Sequence, residues 1–187
     1  MDASIAPRGV RVRLVGPSDT EALLRYHLHN RAFLTPFEPV RSESYFTEAG
    51  QRERIERAVA EAASGIGYLF GVFGDMAESE LVGQVAVRNV VRGAWQNATL
   101  GYSTARDHNG KGYATEAVGR AVAIGFERLG LHRIQAGILP RNAASRRVLE
   151  KNGFRFEGRS LRYLQINGIW EDHDMYALTI EDRHRPG

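Results

Sequence analysis

The residues whose types and order point most directly to chemistry are Asn109, Gly110, Lys111, Gly112, Tyr113, Ala114 and Thr115, between a strand-like run and a long apolar helix. Two glycines let the backbone turn until several N–H groups point one way, and the helix adds its unpaired first amides and positive dipole end. Such a turn suits a phosphate or pyrophosphate. A dinucleotide fingerprint needs a third glycine where Thr115 stands, and a P-loop needs Ser or Thr after Gly-Lys where Gly112 stands. Neither pattern fits, and a glycine-rich connection without a ligand is the alternative left open.

Other residues carry weaker signals. Asn142 precedes a short helical run and Ser145 lies in its first turn, where an Asn caps and a Ser bonds locally. His27 and His29, two apart on a helix, face different ways, and no His-Glu-x-x-His pattern occurs, so no metal site is expected. With no cysteine in the chain, a thiolate nucleophile and a Cys-based metal site are excluded.

The elements that must position these residues follow from periodicity. Val10 to Val15 alternates as a half-buried strand, and Ser18 with Glu21 reads as a capping box opening a helix with Ala22, Leu23, Tyr26 and Leu28 on its apolar side. Thr35 to Thr47 reads as an ordered loop. Glu48 to Ala63 reads as a helix with Ile55, Val59 and Ala62 inward, stopped by Ser64 and Gly65. Tyr68 to Phe73, Leu81 to Val91 and Ala98 to Ala105 read as three antiparallel strands. Ala114 to Leu129 recurs at helical spacing, Arg133 to Leu139 reads as a strand and Ala143 to Asn152 as a helix. Phe154 to Phe156 and Tyr176 to Ile180 read as two last short strands around the turn-like Asn167-Gly168. The aromatics Trp95, Trp170, Phe37, Tyr45 and Phe46 fit a core better than a peptide groove. The order predicts an α/β or α+β fold, with a mixed, mostly antiparallel sheet flanked by helices.

Composition bounds the function. A chain of 187 residues fits one domain spanning 1–187. The formal charge of +3 arises from 25 basic and 22 acidic residues spread along the chain, which predicts no direct nucleic-acid binding. The densest basic group, Arg141, Arg146, Arg147 and Lys151, reads as a solvated helix face or a contact for an anionic ligand. No apolar run is long enough to span a membrane, and Met1 to Arg13 lacks the apolar stretch of a signal peptide, so a cytoplasmic location is expected.

Asn109, Gly112 and Ala114 stand at the positions of the signature of the GCN5-related N-acetyltransferase (GNAT) superfamily: Gln or Arg, two residues, Gly, one residue, then Gly or Ala. The chain resembles that superfamily, with Asn109 in place of the longer polar residue. Pro140 to Ser145, Val148 to Phe154 and Glu157-Gly158 resemble its later coenzyme-binding strand and helix. The resemblance implies a GNAT fold and acetyl-CoA as acetyl donor. It implies that Tyr102, Thr104, Asn109 to Thr115 and Asn142 bind that donor, and that Ser145 is a candidate acid for the leaving thiolate. Pro36 to Arg41, Tyr45 to Thr47 and Tyr163 to His173 resemble more narrowly the RimJ and RimL branch, which acetylates N-terminal amines of ribosomal proteins. By that resemblance Phe37, Glu38 and Tyr163 meet the acceptor.

The same resemblance implies direct transfer in a ternary complex, with a strand N–H between Leu100 and Thr104 polarising the thioester carbonyl. Many members carry a Glu base two residues before the Gly-Tyr pair, where this chain has Thr99. Glu116, Glu38, Asp172 and His173 are the replacements, and Glu116, next to the signature, is the first assigned. An α-amine of pKa about 7.7 to 8.0 is neutral far more often near pH 7 than a lysine of about 10.4, a difference of roughly 3 to 4 kcal/mol. A site short of a base therefore suits a peptide or protein N-terminus. The rivals are an acetyltransferase for a small amine such as a polyamine or antibiotic, and a CoA-binding regulatory module without activity. The oligomeric state is not legible.

Overall fold

The computed structural model describes residues 9–183 except 76 and 79. Residues 1–8, within the stretch read above as lacking a signal, lie outside the described residues, as do 184–187 of the proposed domain. Seven strands form one sheet in the order β1-β2-β3-β4-β5-β7-β6. They are β1 (Arg11–Leu14), β2 (Tyr68–Phe73), β3 (Leu81–Val91), β4 (Asn97–Thr104), β5 (Arg133–Ile138), β6 (Arg155–Ile166) and β7 (Ile169–Thr179). Every neighbouring pair is antiparallel except β4 and β5, which run parallel. That parallel pair needs a long crossover, and the helix α3 (Tyr113–Glu127) supplies it.

Side chains alternate across the sheet and sort the helices onto its two faces. On one face Ala98, Leu100, Ile134, Ala136, Ile138, Tyr176 and Leu178 pack with Ala117, Val118, Ala121 and Val122 of α3 and Leu149 of α4 (Ala143–Lys151). On the other, Leu69, Phe73 and Leu81 pack with Leu23 and Tyr26 of α1 (Thr20–Leu34) and Ile55 and Ala58 of α2 (Glu48–Ala63). A last short helix, α5, covers Ile180–Arg183.

Several sequence expectations need correction. Ser18 and Glu21 do not cap α1. A 3-10 turn, Pro17–Asp19, precedes the helix, the Asp19 carboxylate accepts from Gly16 N at 2.8 Å, and Glu21 instead pairs with Arg25. Leu28 and Val59 face solvent, because one-residue phase differences on α1 and α2 put His27 and Ala58 inward. Trp95 and Trp170 are not core: they are 53% and 60% exposed. The last two strands are far longer than the apolar runs at their ends. β6 is an edge strand with mostly exposed residues, so no alternation marks it, and its ladder to β7 shifts register twice. The loop 35–47 is ordered, as expected, by two 3-10 turns, Thr35–Phe37 and Glu43–Phe46.

Candidate active site

The parallel pairing of β4 and β5 covers Asn97↔Arg133, Ala98↔Ile134 and Thr99↔Gln135, and then stops. β4 stays paired with β3 as far as Thr104, and β5 with β7 as far as Ile138. The sheet is therefore split along Leu100 to Thr104 on one side and Ala136 to Ile138 on the other. Both strands end here, and the N-termini of α3 and α4 follow them. A parted parallel pair capped by two helix N-termini is a natural anion-facing cleft.

The segment singled out by its glycines forms the lip of this cleft. Arg106–His108 makes a 3-10 turn, Asn109 follows it, and Gly110 and Gly112 adopt φ of +76° and +89° before α3 begins at Tyr113. Gly112 is the N-cap, so its left-handed backbone aims the first α3 amides outward. Asn109, Gly110 and Lys111 are exposed, while Gly112 to Thr115 are half-buried. Tyr113 is fixed by an edge contact to His108, with ring centroids 5.3 Å apart. The Thr115 carbonyl accepts from Asn152 Nδ2 at 3.1 Å, which ties the start of α3 to the end of α4.

Across the split, Tyr102 of β4 reaches α4. Its hydroxyl lies 2.6 Å from Ser145 Oγ and 3.1 Å from the Ser145 carbonyl. Burial pushes the Tyr102 phenol well above its usual pKa, so it stays protonated, although the bond to Ser145 works the other way. Asn142 caps α4, its Oδ1 accepting from Ser145 N at 3.0 Å. That bond satisfies one orphan amide and fixes the turn that carries Ser145. Thr104 ends β4 opposite Gly83.

The opposite face of the split is floored by glycine. Thr99 pairs with Gln135, so Gly101 and Gly137 are the next positions of equal register and face the side away from α3. A Cβ on Gly101 would meet nothing within 4 Å, whereas one on Gly137 would lie 3.2 Å from Met175 Sδ, 3.5 Å from Tyr163 and 3.6 Å from His173. On this side hydrogen bonds tie together segments distant in the sequence. Tyr26 of α1 donates to Ser103 Oγ of β4 at 2.9 Å, and Arg106 N donates to Asn30 Oδ1 at 2.8 Å. After α1, the Glu38 carbonyl accepts from Asn167 N at the β6–β7 turn at 2.9 Å. Arg141 donates to the Pro36 carbonyl at 3.0 Å and pairs with Glu171 of β7 at 2.6 Å. His27 holds the loop from beneath, its Nε2 3.1 Å from the Tyr45 hydroxyl, and burial lowers its pKa to about 3.

The predicted site residues thus fall into groups. Asn109 to Thr115, Tyr102, Thr104, Asn142 and Ser145 gather at the split. Glu38, its side chain 19% exposed and 3.6 Å from Arg41, and Tyr163, edge-on to His173, stand on the glycine-floored side, with the 39% exposed Phe37 on the loop beside them. Glu116 stands apart: it lies in the first turn of α3 and pairs with Arg120 one helical turn on, at 2.8 Å. Sequence reasoning missed the Gly101 and Gly137 pair and the Tyr26–Ser103 contact. The signal for the first was two glycines inside otherwise apolar strands.

A family model described as an acetyltransferase (GNAT) domain matches residues 10–155. A probable N-acetyltransferase of Bacillus subtilis is 41% identical over 173 residues, 92% of this chain and 95% of that protein. The ribosomal protein uS5-alanine N-acetyltransferase of Escherichia coli is 39% identical over 171 residues, covering 91% and 88%. Mycobacterium smegmatis RimJ, solved in complex with CoA-disulfide, superposes with a TM-score of 0.89 at 34% identity, over 96% of this chain and 86% of that one. With the split sheet, the glycine turn at the head of α3 and a domain model covering most of its length, this chain belongs to the GNAT family of acetyltransferases.

Proposed function

We propose that the chain uses acetyl-CoA to acetylate the free α-amine of a protein or peptide N-terminus, by direct transfer in a ternary complex. The observation that carries the reading is the parted β4–β5 pair, open to the α3 and α4 N-termini on one face and to the Gly101 and Gly137 floor on the other. The donor set fits a CoA pyrophosphate: the amides after Gly110 and Gly112 supply hydrogen bonds and half a positive charge without needing a side chain. Bound there, acetyl-CoA supplies an acyl group already activated as a thioester. Tyr102 and Thr104 line the β4 side, and Asn142 fixes the α4 side.

Ser145 holds a proton where the departing sulfur needs one. Tyr102, kept protonated by burial, donates to the Ser145 carbonyl and stands 2.6 Å from Ser145 Oγ, which holds the serine hydroxyl at the split as the proton source for the thiolate. Glu116 is spent on Arg120 along a helix surface, so the general base is sought on the acceptor side. The relative named for ribosomal protein uS5 alanine, and the absence of a carboxylate base at Thr99, favour a chain end over an internal lysine.

Purified protein, acetyl-CoA and two peptides test this: one beginning with a free alanine, the other with a blocked N-terminus and an internal lysine. Thiol release and an added acetyl mass on the first peptide alone is the expected result. Acetylation of only the second, or only of polyamines, overturns the N-terminal reading. No thiol release above buffer hydrolysis with any of the amines points instead to the inactive-module alternative.

A further inference from the structure

Neither the strand position usual for a base, here Thr99, nor the first-turn Glu116 offers one on the acceptor side. We infer that His173 is the general base, taking a proton from the acceptor's α-ammonium through Nε2 at the glycine floor; this rests on the N-terminal acetyltransferase reading above.

The geometry fixes the tautomer. His173 Nδ1 lies 3.0 Å from the Glu171 carbonyl oxygen. A carbonyl only accepts, so Nδ1 carries the hydrogen and Nε2 of the neutral ring carries the lone pair. Nε2 has no hydrogen-bond partner among the described residues, and it is not one of the buried polar atoms sealed from solvent without a partner. The residue is only 3% exposed, so the ring is clamped while this atom keeps its opening.

The clamp sits at the split. β7 places Glu171, His173 and Met175 on the acceptor face, and His173 Cβ is 3.6 Å from where a Gly137 Cβ would lie. Tyr163 of β6 braces the ring edge-on, with centroids 5.6 Å apart. The other acidic candidates on these strands are engaged. Asp172 accepts from Arg162 N at 2.9 Å, Asp174 is held by Arg159 at 2.7 Å and Arg146 at 3.4 Å, and Glu171 by Arg141. The titratable and charged groups packed around His173 are therefore Glu171 and Asp172 on its own strand, Tyr163 from β6 and Arg141 from the loop after β5. β5 itself contributes only glycine at that point.

The step balances. The α-ammonium gives one proton to His173 Nε2, the freed lone pair forms the C–N bond, and the C–S bond breaks with its electrons on sulfur. The sulfur takes a proton from Ser145, the acylated nitrogen sheds its second proton to restore the serine hydroxyl, and the first proton leaves from His173 to solvent, giving amide and thiol.

The test compares wild type with His173→Gln and His173→Asn across pH, using an alanine-terminated peptide and a matching peptide ending in an aminooxy group, which is already neutral near pH 7. The expected result is a fall in kcat/KM of about 100-fold for the amine near neutral pH. That deficit narrows as pH rises, falls below about 5-fold for the aminooxy peptide, and leaves CoA affinity unchanged. A deficit equal for both nucleophiles at all pH values, or none, overturns the inference. Nitrogen-detected NMR of wild type provides a readout independent of variant folding: an Nε2-H tautomer for His173 also overturns it. If wild type acetylates a small amine but no peptide, the N-terminal reading fails while the same variant comparison on that amine still decides the base. A wild type inactive on every amine overturns both.

Discussion

At the scale of single residues, the split sheet assigns work to side chains whose types alone were ambiguous. Asn142 was open between capping and binding from sequence, and it caps α4 through Ser145 N, which leaves its Nδ2 hydrogens for other partners. Ser145 of α4 sits 2.6 Å from a tyrosine on β4, a contact across 43 positions that no local pattern encodes. Ser145→Ala removes the proposed proton source while leaving the Asn142 cap on a backbone amide. The expected result is a loss of 100-fold or more in kcat with little change in CoA affinity, measured by thiol release and calorimetry. Tyr102→Phe, which keeps the serine, is expected to lose less than Ser145→Ala; the reverse order would place the donor on the tyrosine. The glycine turn was readable because positive φ demands glycine, whereas the Gly101 and Gly137 floor was not, since a strand glycine has several possible reasons.

At the scale of elements, the sequence pattern places α2, β2 and β3 to the residue, β4 and β5 within one, and α3 within two. It failed where tertiary contacts replace burial. β6 carries an exposed edge face, so nothing in its apolar spacing distinguishes twelve extended residues from a loop. The loop between α1 and α2 is likewise shaped by one close approach: a Cβ on Gly50 would sit 1.9 Å from the Ser44 carbonyl oxygen and 3.3 Å from Thr47 Oγ1. The first turn of α2 thus backs directly onto the Glu43–Phe46 turn that leads from the acceptor loop. Gly50→Ala is expected to cost about 2 kcal/mol or more, because backbone rather than a side-chain tip must yield. Thermal unfolding reads that loss, and peptide KM should rise more than CoA affinity falls.

At the scale of the whole molecule, stability and the acceptor loop are linked through His27. Its folded pKa of about 3 lies below the unfolded value near 6.5 because burial disfavours the imidazolium, helped by Arg54 and Arg41. Between those values the unfolded chain binds a proton that the folded one refuses. Stability from this group is complete above about pH 6.5 and declines as pH falls, by roughly 3 to 5 kcal/mol as pH approaches 3. Chemical denaturation at pH 7 and pH 4 should show that decline, and His27→Asn should flatten it; a variant as acid-sensitive as wild type would show that other groups dominate. Among the described residues no helix is long and apolar enough to cross a membrane, and no group of His, Cys, Asp or Glu is arranged to hold a metal.

The bonds Tyr26–Ser103, Asn167–Glu38 and Arg141–Pro36 lace together segments far apart in the sequence. Lacing differs from packing in that it gives way one knot at a time. An acceptor bulky enough to push the 35–40 loop from the β6–β7 turn has to undo the Glu38–Asn167 knot first, while a slender chain end that leaves the loop in place keeps it tied.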